Sequence, residues 1–449
     1  MKKFIETLKN IWRVEDLRTR ILITLGFVAM YRFGSVVVLP GINPNALTAL
    51  HEQTSTGLMS LLNMFSGGAF SNASIFALGI MPYISASIVI QLFAFVVPYF
   101  QKLQREGESG RRKMNQYTRY LTIIILLFQA PSYLFNLRIQ SAGALNAGLS
   151  WTLFMVSSMF ILAAGSMFIL WIGERITDKG IGNGVSLIIM VGIIARLPTA
   201  FKQELASRFT NVSGGGLIMF IIELILLFVV ILAAIMLVQG TRKVPVQYAK
   251  RMYGGQQVGG VRQYIPLKVF AANVMPIIFA QAIMFIPITL LQLASGGQAA
   301  ASPILMKLSD HTSVLYNIVF ALLIIAFTYF YTAITLNPTQ MAEDMKRNNG
   351  FIPGVRPGKD TADFLDRIMD RITFPGSIFL ALIACMPAFA VLLNVKPEFA
   401  KFFGGTSLLI LVGVVLDTLQ QIESHLLMRH YDGLLSSGRI HGRSGITAH

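Results

Sequence analysis

Ten runs of mostly apolar residues constrain this chain more than any other feature. They lie at roughly 21–39, 75–98, 119–135, 151–173, 183–198, 216–238, 269–293, 314–336, 374–395 and 406–424. An α-helix needs about 20 such residues to cross a bilayer, and a spanning helix satisfies its own backbone there. The pattern predicts an all-α membrane protein with ten transmembrane helices. With 54% of its 449 residues hydrophobic and 13% charged, the chain is too apolar for a soluble protein of that length.

Ten crossings put both termini on one side, so alternate loops compare directly. The N-terminal segment, the loops after the second, fourth, sixth and eighth runs, and the C-terminal tail hold 29 Lys and Arg residues; the opposite loops hold 7, and Arg32 inside the first run completes the 37. Basic residues stay in the cytoplasm, so both termini are expected there. The formal charge of +16 is then mostly topological and needs no nucleic-acid partner. The N-terminal MKKFIETLKNIWRVEDLRTR shows no small-residue cleavage site behind an apolar core, and no removable signal peptide is expected. Its Phe4, Ile5, Leu8, Ile11 and Trp12 recur at helical spacing, as in a helix lying on a membrane surface. The lone cysteine, Cys385, excludes an intramolecular disulfide.

Two cytoplasmic loops exceed what a link between spans requires. QGTRKVPVQYAKRMYGGQQVGGVRQYIPLK carries six basic residues and no acidic one, whereas the loop opening NPTQMAEDMKRNNGFIPGVRPGKD carries six of each. Two readings are open: a solvated basic loop, or a docking surface. Its partner would be anionic, such as an acidic protein face or ribosomal RNA.

Ten runs also divide into five and five, and an odd number per half makes the halves inverted. The second run contains Ile80-Met81-Pro82-Tyr83-Ile84 and its counterpart contains Val274-Met275-Pro276-Ile277-Ile278. Proline inside a spanning helix favours a bend. Each Met-Pro pair is therefore either a passive kink or part of a transport machine.

Few groups within the runs could do chemistry. Glu223, Asp417 and Arg32 are the charged candidates. Asp417 and Arg32 lie near run ends, while Glu223 is placed for proton coupling or for pairing with another helix. The six histidines (51, 311, 425, 430, 441 and 449) fall in loops or the tail. There is no HExxH, no P-loop and no nucleophile elbow. HEQTS at 51–55 lacks a second histidine, so neither a metal, a cofactor nor an intramembrane enzyme is expected.

The stretch before the second run is unusual. In TGLMSLLNMF, Leu58, Leu61, Leu62 and Phe65 fall on one helical face, yet the segment is too short to span. Ser66-Gly67-Gly68 would end it and provide a hinge, and Ser71 or Asn72 would cap the next helix. A short helix, hinge and span together describe a re-entrant element, tolerated at membrane depth only where protein or a water-filled cavity surrounds it.

Six stretches in order (NMFSGGA with SIFALGIMPYISASI, GESGRRKMNQYTRY, GERITDKGIGNG, YAKR with IPLKV, FIPGVRPG and FGGTSLLI) resemble the SecY family. Its members are the central subunits of the bacterial Sec protein-conducting channel, and the resemblance runs from the first span to the last. It implies two inverted five-helix halves, 21–213 and 214–424, forming a clamshell around an hourglass pore. A cytoplasmic segment 1–20 precedes them and a cytoplasmic tail 425–449, to which nothing is assigned, follows. It implies a plug at about 57–72, including Leu58, Leu61, Leu62, Phe65, Ser66, Gly67 and Gly68. The waist would be a ring of Ile80, Ile84, Val185, Ile189, Ile278 and Ile410, with Val185 where isoleucine is commoner. Such a constriction excludes ions by dewetting. The two Met-Pro helices would form a lateral gate carrying Pro82, Gln91, Asn273 and Pro276; Phe270 stands where many relatives have asparagine.

The resemblance further implies docking loops at about 239–268 and 337–373, with Lys250, Arg251 and Arg356, for the SecA motor ATPase or the ribosome. Its other partners would be the small membrane subunits SecE and SecG, signal-peptide-bearing polypeptides and lipid. The expected function is passive polypeptide translocation in the bacterial cytoplasmic membrane. An ion-coupled transporter of a small solute is the competing reading, and it requires a polar site near the midplane.

Overall fold

The computed structural model describes residues 12, 14–44, 47, 63–140, 150–210, 216–248, 251–253, 256–258, 262–270, 275–281, 283–284 and 313–436. The expected surface helix of 1–20 is described only at residue 12 and from residue 14 onward. Leu58, Leu61, Leu62, Lys250 and Asn273 also lie outside the described residues.

The first half contains α1 (Glu15–Val36), α2 (Met81–Val96), α3 (Pro98–Arg105), α4 (Glu108–Gln140), α5 (Trp151–Lys179) and α6 (Gly184–Thr210). The second contains α7 (Gly216–Gln239), a helical stretch at 275–281, α8 (Val314–Thr335), α9 (Pro338–Arg347), α10 (Lys359–Leu392), α11 (Pro397–Ala400) and α12 (Gly405–Ser436). Among the described residues seven helices are long and apolar enough to cross a membrane, or eight if the bent α2–α3 pair is one span. The helix α1 matches the first predicted run, and the seventh run, 269–293, is described only in pieces.

Most spans run longer than their apolar cores. The helix α4 continues through Pro131, α6 through Pro198 to Thr210, and α10 through Pro375 and Pro387. Hydropathy marks the lipid-embedded part of a helix, not its ends in water, so the predicted bounds were short. On α7, Ile218, Ile225, Phe228 and Met236 are exposed, as a face turned to hydrocarbon would be.

The second run departs from expectation. Residues 66–80 form consecutive turns, and the helix begins only at Met81. Gly67, Gly68 and Gly79 have φ of +65°, +93° and +56°, and Ala73 has +46°. Left-handed positions of this kind interrupt a right-handed helix. Pro82 therefore sits in the first turn of α2, where a missing N–H costs nothing, and it bends no helix. The bend comes later, a 100° turn between α2 and α3 at Pro98. Neither Ser71 nor Asn72 caps α2; Ile80 is its N-cap residue, without a side-chain cap.

The two long loops expected in the cytoplasm are likewise not irregular. Strands β1 (Thr241–Tyr248) and β4 (Arg262–Lys268) pair antiparallel, Val244 opposite Ile265, and β2 (Arg251–Tyr253) pairs with β3 (Gln256–Val258). The short β5 (Gly350–Phe351), from the other loop, adds to the free edge of β1. Val244, Val246, Leu267, Met345, Ile352, Leu365 and Met369 form a core beneath the sheet, so both loops belong to one folded unit. Asn337 starts α9 by accepting from the Thr339 and Gln340 N–H groups, with Pro338 in the first turn. That is a sequence-legible helix start.

Within the membrane, α2 packs on α4, α4 on α5 and α5 on α6, while α8 lies along α10. The halves join where α6 meets α7 and α12. The largest apolar cluster draws residues from both halves.

Candidate functional site: a plugged apolar waist

The turns after Phe65 are held by their own polar groups. Asn63 Oδ1 accepts the Ser71 N–H (3.1 Å), its carbonyl accepts the Gly68 N–H (2.8 Å), and Ser66 Oγ accepts the Phe70 N–H (3.0 Å). Asn63, Ser66 and Ser71 are buried, so these bonds meet the need of polar groups removed from water.

Neighbouring helices fix the position of this knot. From α1, Tyr31 Oη donates to the Ser66 carbonyl (3.1 Å) and Arg32 donates to the Gly67 carbonyl (2.9 Å). Tyr133 of α4 donates to the Phe70 carbonyl at 2.9 Å. From the second half, Ser407 Oγ donates to Met64 Sδ at 2.9 Å. The backbone of Gly67 lies on Gly192 of α6, so that a Cβ built on Gly67 would stand 2.9 Å from Gly192 Cα. Arg32 is thus neither a lipid-snorkelling residue nor a substrate ligand, because its guanidinium holds a backbone turn.

All six residues expected in the ring fall in one apolar cluster. Ile80, Ile84, Ile189 and Ile410 are buried within it, and Val185 and Ile278 pack against it. Met64, Phe65 and Ala69 of the turn region belong to the same cluster. Ile80 and Ile84 stay one turn apart, because the Ile84 N–H donates to the Ile80 carbonyl (3.1 Å). The constellation is apolar throughout, and no group of His, Cys, Asp or Glu able to hold a metal occurs among the described residues.

The expected gate residues are placed unevenly. Pro82 and Pro276 are buried, Gln91 donates to Ser87 one turn back on α2 at 3.1 Å, and Phe270 is buried in the core of the second half. Phe279, one turn beyond Pro276, joins Ile80, Ile84 and Ile88 in the shared cluster. Arg356 is exposed on the turn before α10, and its carbonyl accepts from Thr361 Oγ1 (2.8 Å). Arg251 lies on β2.

Glu223 has a partner. Its Oε1 accepts from Arg208, which also binds Glu204 of its own helix at 2.9 Å. Of the two readings left open by the sequence, pairing is the one the geometry supports. A second ionic group lies between α6 and the α11 region, where Glu398 contacts Arg196 (3.7 Å) and Lys401 (3.2 Å). Burial pushes the Lys401 ammonium below its ordinary value, and Glu398 pulls it partly back. Sequence reading missed Tyr31, Gly192, Glu204, Arg208 and Ser407. One trace of them was visible: Glu204 and Arg208 stand four residues apart, the spacing of a helical ion pair.

Fold and site together define a multi-pass membrane protein in which both halves and a turn-rich segment share one buried apolar cluster. Residues 74–419 match the family model SecY. Curated relatives called protein translocase subunit SecY match along the chain. That of Halalkalibacterium halodurans is 44% identical, covering 96% of this chain and 99% of its own length. That of Mycobacterium bovis is 41% identical, covering 97% and 100%. Among solved structures, a protein-conducting channel superposes with a TM-score of 0.62 at 18% identity, covering 96% of this chain and 95% of the other. A SecY protein studied for a plug domain that stabilises the closed translocation channel superposes at 0.64, with 18% identity and the same coverage. The chain belongs to the SecY family. It has the ten-helix, two-half channel fold of these structures.

Proposed function

We propose that this chain is the pore-forming subunit of a protein translocase, a passive channel for unfolded secretory polypeptides that also releases apolar helices sideways into lipid. The observation that carries the reading is the composition of the waist: six branched aliphatic side chains from both halves share one buried cluster with Met64, Phe65 and Ala69. Apolar side chains seal against ions because an ion entering would lose water and gain no ligand. They can also repack around an extended peptide of any sequence, since apolar contact has no direction.

In this reading the plug is about residues 57–72, the turns from Asn63 to Asn72 together with the preceding residues. The gate lies between α2 and the helix containing Pro276. The β1–β4–β5 sheet and Arg356 form a cytoplasmic docking surface for a motor ATPase of the SecA type or for the ribosome. Small subunits of the SecE and SecG type would complete the complex. Energy then comes from those partners or from the membrane potential, and the chain sits in the bacterial cytoplasmic membrane with both termini in the cytoplasm. An ion-coupled transporter draws no support: the waist is apolar, and Glu223 is paired with Arg208.

The test uses Cys385→Ser with a new cysteine at Ile189 or Ile278. A secretory precursor carrying one cysteine is arrested halfway across, and disulfide formation is scored. Cross-links at these positions and not at lipid-facing controls are expected. An arrested chain that avoids both positions would rule out the ring.

A further inference from the structure

The link between α10 and α12 is not an ordinary surface loop. Loops that join spans run over the outside, because their backbone needs partners. Residues 393–404 instead turn inward: Phe403 is 0% exposed, Phe399 1% and Phe402 6%. With Val395 and Ala400 they belong to the cluster that holds the expected waist residues and Met64, Phe65 and Ala69 of the plug turns. Phe399 and Phe403 meet edge-on with ring centroids 5.4 Å apart.

Local chemistry accounts for the inward course. The single turn α11 is followed by tight turns in which the Phe402 N–H donates to the Phe399 carbonyl and the Phe403 N–H to the Ala400 carbonyl, both at 3.0 Å. Gly404 and Gly405 then lay the chain on α10. Pro387, inside α10, has no N–H to give the Ile383 carbonyl one turn back. Gly404 packs on that freed carbonyl, where any Cβ would overlap it. Gly405 has φ of +65°, as Gly67 of the plug does, and a Cβ on it would stand 3.1 Å from Pro387 Cγ. The two sequences are alike in the same respect, Phe65-Ser66-Gly67-Gly68 in the plug and Phe402-Phe403-Gly404-Gly405 here. Each is non-helical backbone enclosed by protein.

The two segments come from different halves and meet. Ser407, just past the glycine pair, donates to Met64 Sδ at 2.9 Å. Arg196, which Glu398 contacts at 3.7 Å, stands beside Gly68, where a Cβ would lie 3.7 Å from its Nε. The plug turns hang on Tyr31, Arg32 and Tyr133 of the first half, whereas residues 404–405 rest on α10 of the second. Between them lie apolar contacts, which can part without leaving a charge unpaired, and a bond to a thioether, a weak acceptor.

We propose that residues 399–405 are a second stopper, carried by the second half, with Phe399 and Phe403 as its sealing side chains: the channel is shut where the plug of one half meets this segment of the other. The proposal rests on the channel reading above.

Idle ion conductance of the full-length protein in planar bilayers tests it. Phe403→Ala should raise conductance at least about tenfold, because an apolar constriction that loses a ring admits water. Phe403→Leu should stay near the wild type. Phe320→Ala, which opens the core of the second half on α8, should lower the melting temperature without a leak. Phe403→Ala combined with Gly67→Ala should leak more than the product of the two single effects, since each stopper backs the other. The second stopper is refuted if Phe403→Ala keeps wild-type conductance both alone and with Gly67→Ala, or if Phe320→Ala leaks as much. Should Phe403→Ala fail to accumulate, a disulfide decides. In the Cys385→Ser background, Met64→Cys with Ser407→Cys should oxidise to a disulfide in the idle protein and not once a secretory precursor is arrested; equal oxidation in both states refutes the stopper. A precursor that never cross-links at Ile189 or Ile278 overturns the channel reading itself, and the stopper with it.

Discussion

Replacing Gly192 by alanine should stabilise a helix and unseat the plug in one step. Gly192 lies inside α6, where alanine is favoured over glycine by about 1 kcal/mol. Its new Cβ, however, would stand 3.2 Å from both Cα and N of Gly67 and 3.4 Å from the Met64 carbonyl. Carbon contacts prefer about 3.5–4.0 Å, so one side must retreat, and overpacking of this kind costs about 1–3 kcal/mol. The helix is braced by α5, α7 and α12, so the displacement falls on the plug turn. A shift of about 1.4 kcal/mol in plug seating is tenfold in the unseated population. Idle conductance of the purified protein in planar bilayers should therefore rise about tenfold, while the melting temperature holds or increases. Gly67→Ala should act more strongly, because its Cβ would meet Gly192 Cα at 2.9 Å with φ at +65°, and a left-handed alanine adds about 1–2 kcal/mol. If both variants keep wild-type idle conductance, the turn at Gly67 is not the seal.

Three further outcomes follow from named contacts. Glu204 uses both oxygens as acceptors, whereas Glu223 Oε2 has no hydrogen-bond partner. Glu204→Gln turns an amide N–H toward a donor and should cost roughly 2–4 kcal/mol, clearly more than Glu223→Gln; paired thermal melts in detergent measure the difference. The folded pKa of Lys401 lies below the ordinary 10.5 because burial disfavours the ammonium. Stability from this group is therefore lowest below the folded pKa and rises with pH toward the ordinary value. Lys401→Met should flatten that rise in melts taken as the pH approaches the ordinary value from below, and an unchanged slope would reject the assignment. Arg356 is exposed on its turn, so Arg356→Ala should leave the melting temperature within about 1–2 °C while weakening binding of a SecA-type ATPase to proteoliposomes.

The membrane class was legible because burial in lipid demands long apolar runs, and ten of them cannot be mistaken for a soluble core. The proposed waist comes only through the resemblance: Ile80, Ile189 and Ile410 carry no mark in the sequence that separates a seal from any other buried isoleucine. The start of α2 was misread because hydropathy does not register φ, and three glycines with Ala73 turn apolar sequence into consecutive turns. The β1–β4–β5 sheet escaped for another reason. Its strand β5 is two residues long and becomes a strand only by pairing with β1, just over a hundred residues earlier in the chain. Contacts of that range leave no local period to read. Arg208 and Glu223 were each visible as charges, but their pairing depends on α6 and α7 lying side by side.

The division between ionic and apolar contacts has a physical logic for a channel that must both seal and yield. A waist built from charges or hydrogen bonds would hold one geometry and expose unpaired groups in any other. Branched aliphatic side chains lose little specificity on separation and close again around whatever chain lies between them. Anchoring the halves to each other needs the opposite property, because a fixed joint must not repack. Buried groups with directional partners provide that, and those of Arg208 include Glu204, Glu223 and the Asn394 carbonyl. The plug stands between these regimes. Its backbone is tied to the first half by Tyr31, Arg32 and Tyr133, while Ser407 reaches it from the second half only through the Met64 thioether, a weak acceptor. Separation of the halves should break the sulfur contact first and carry the plug with α1 and α4.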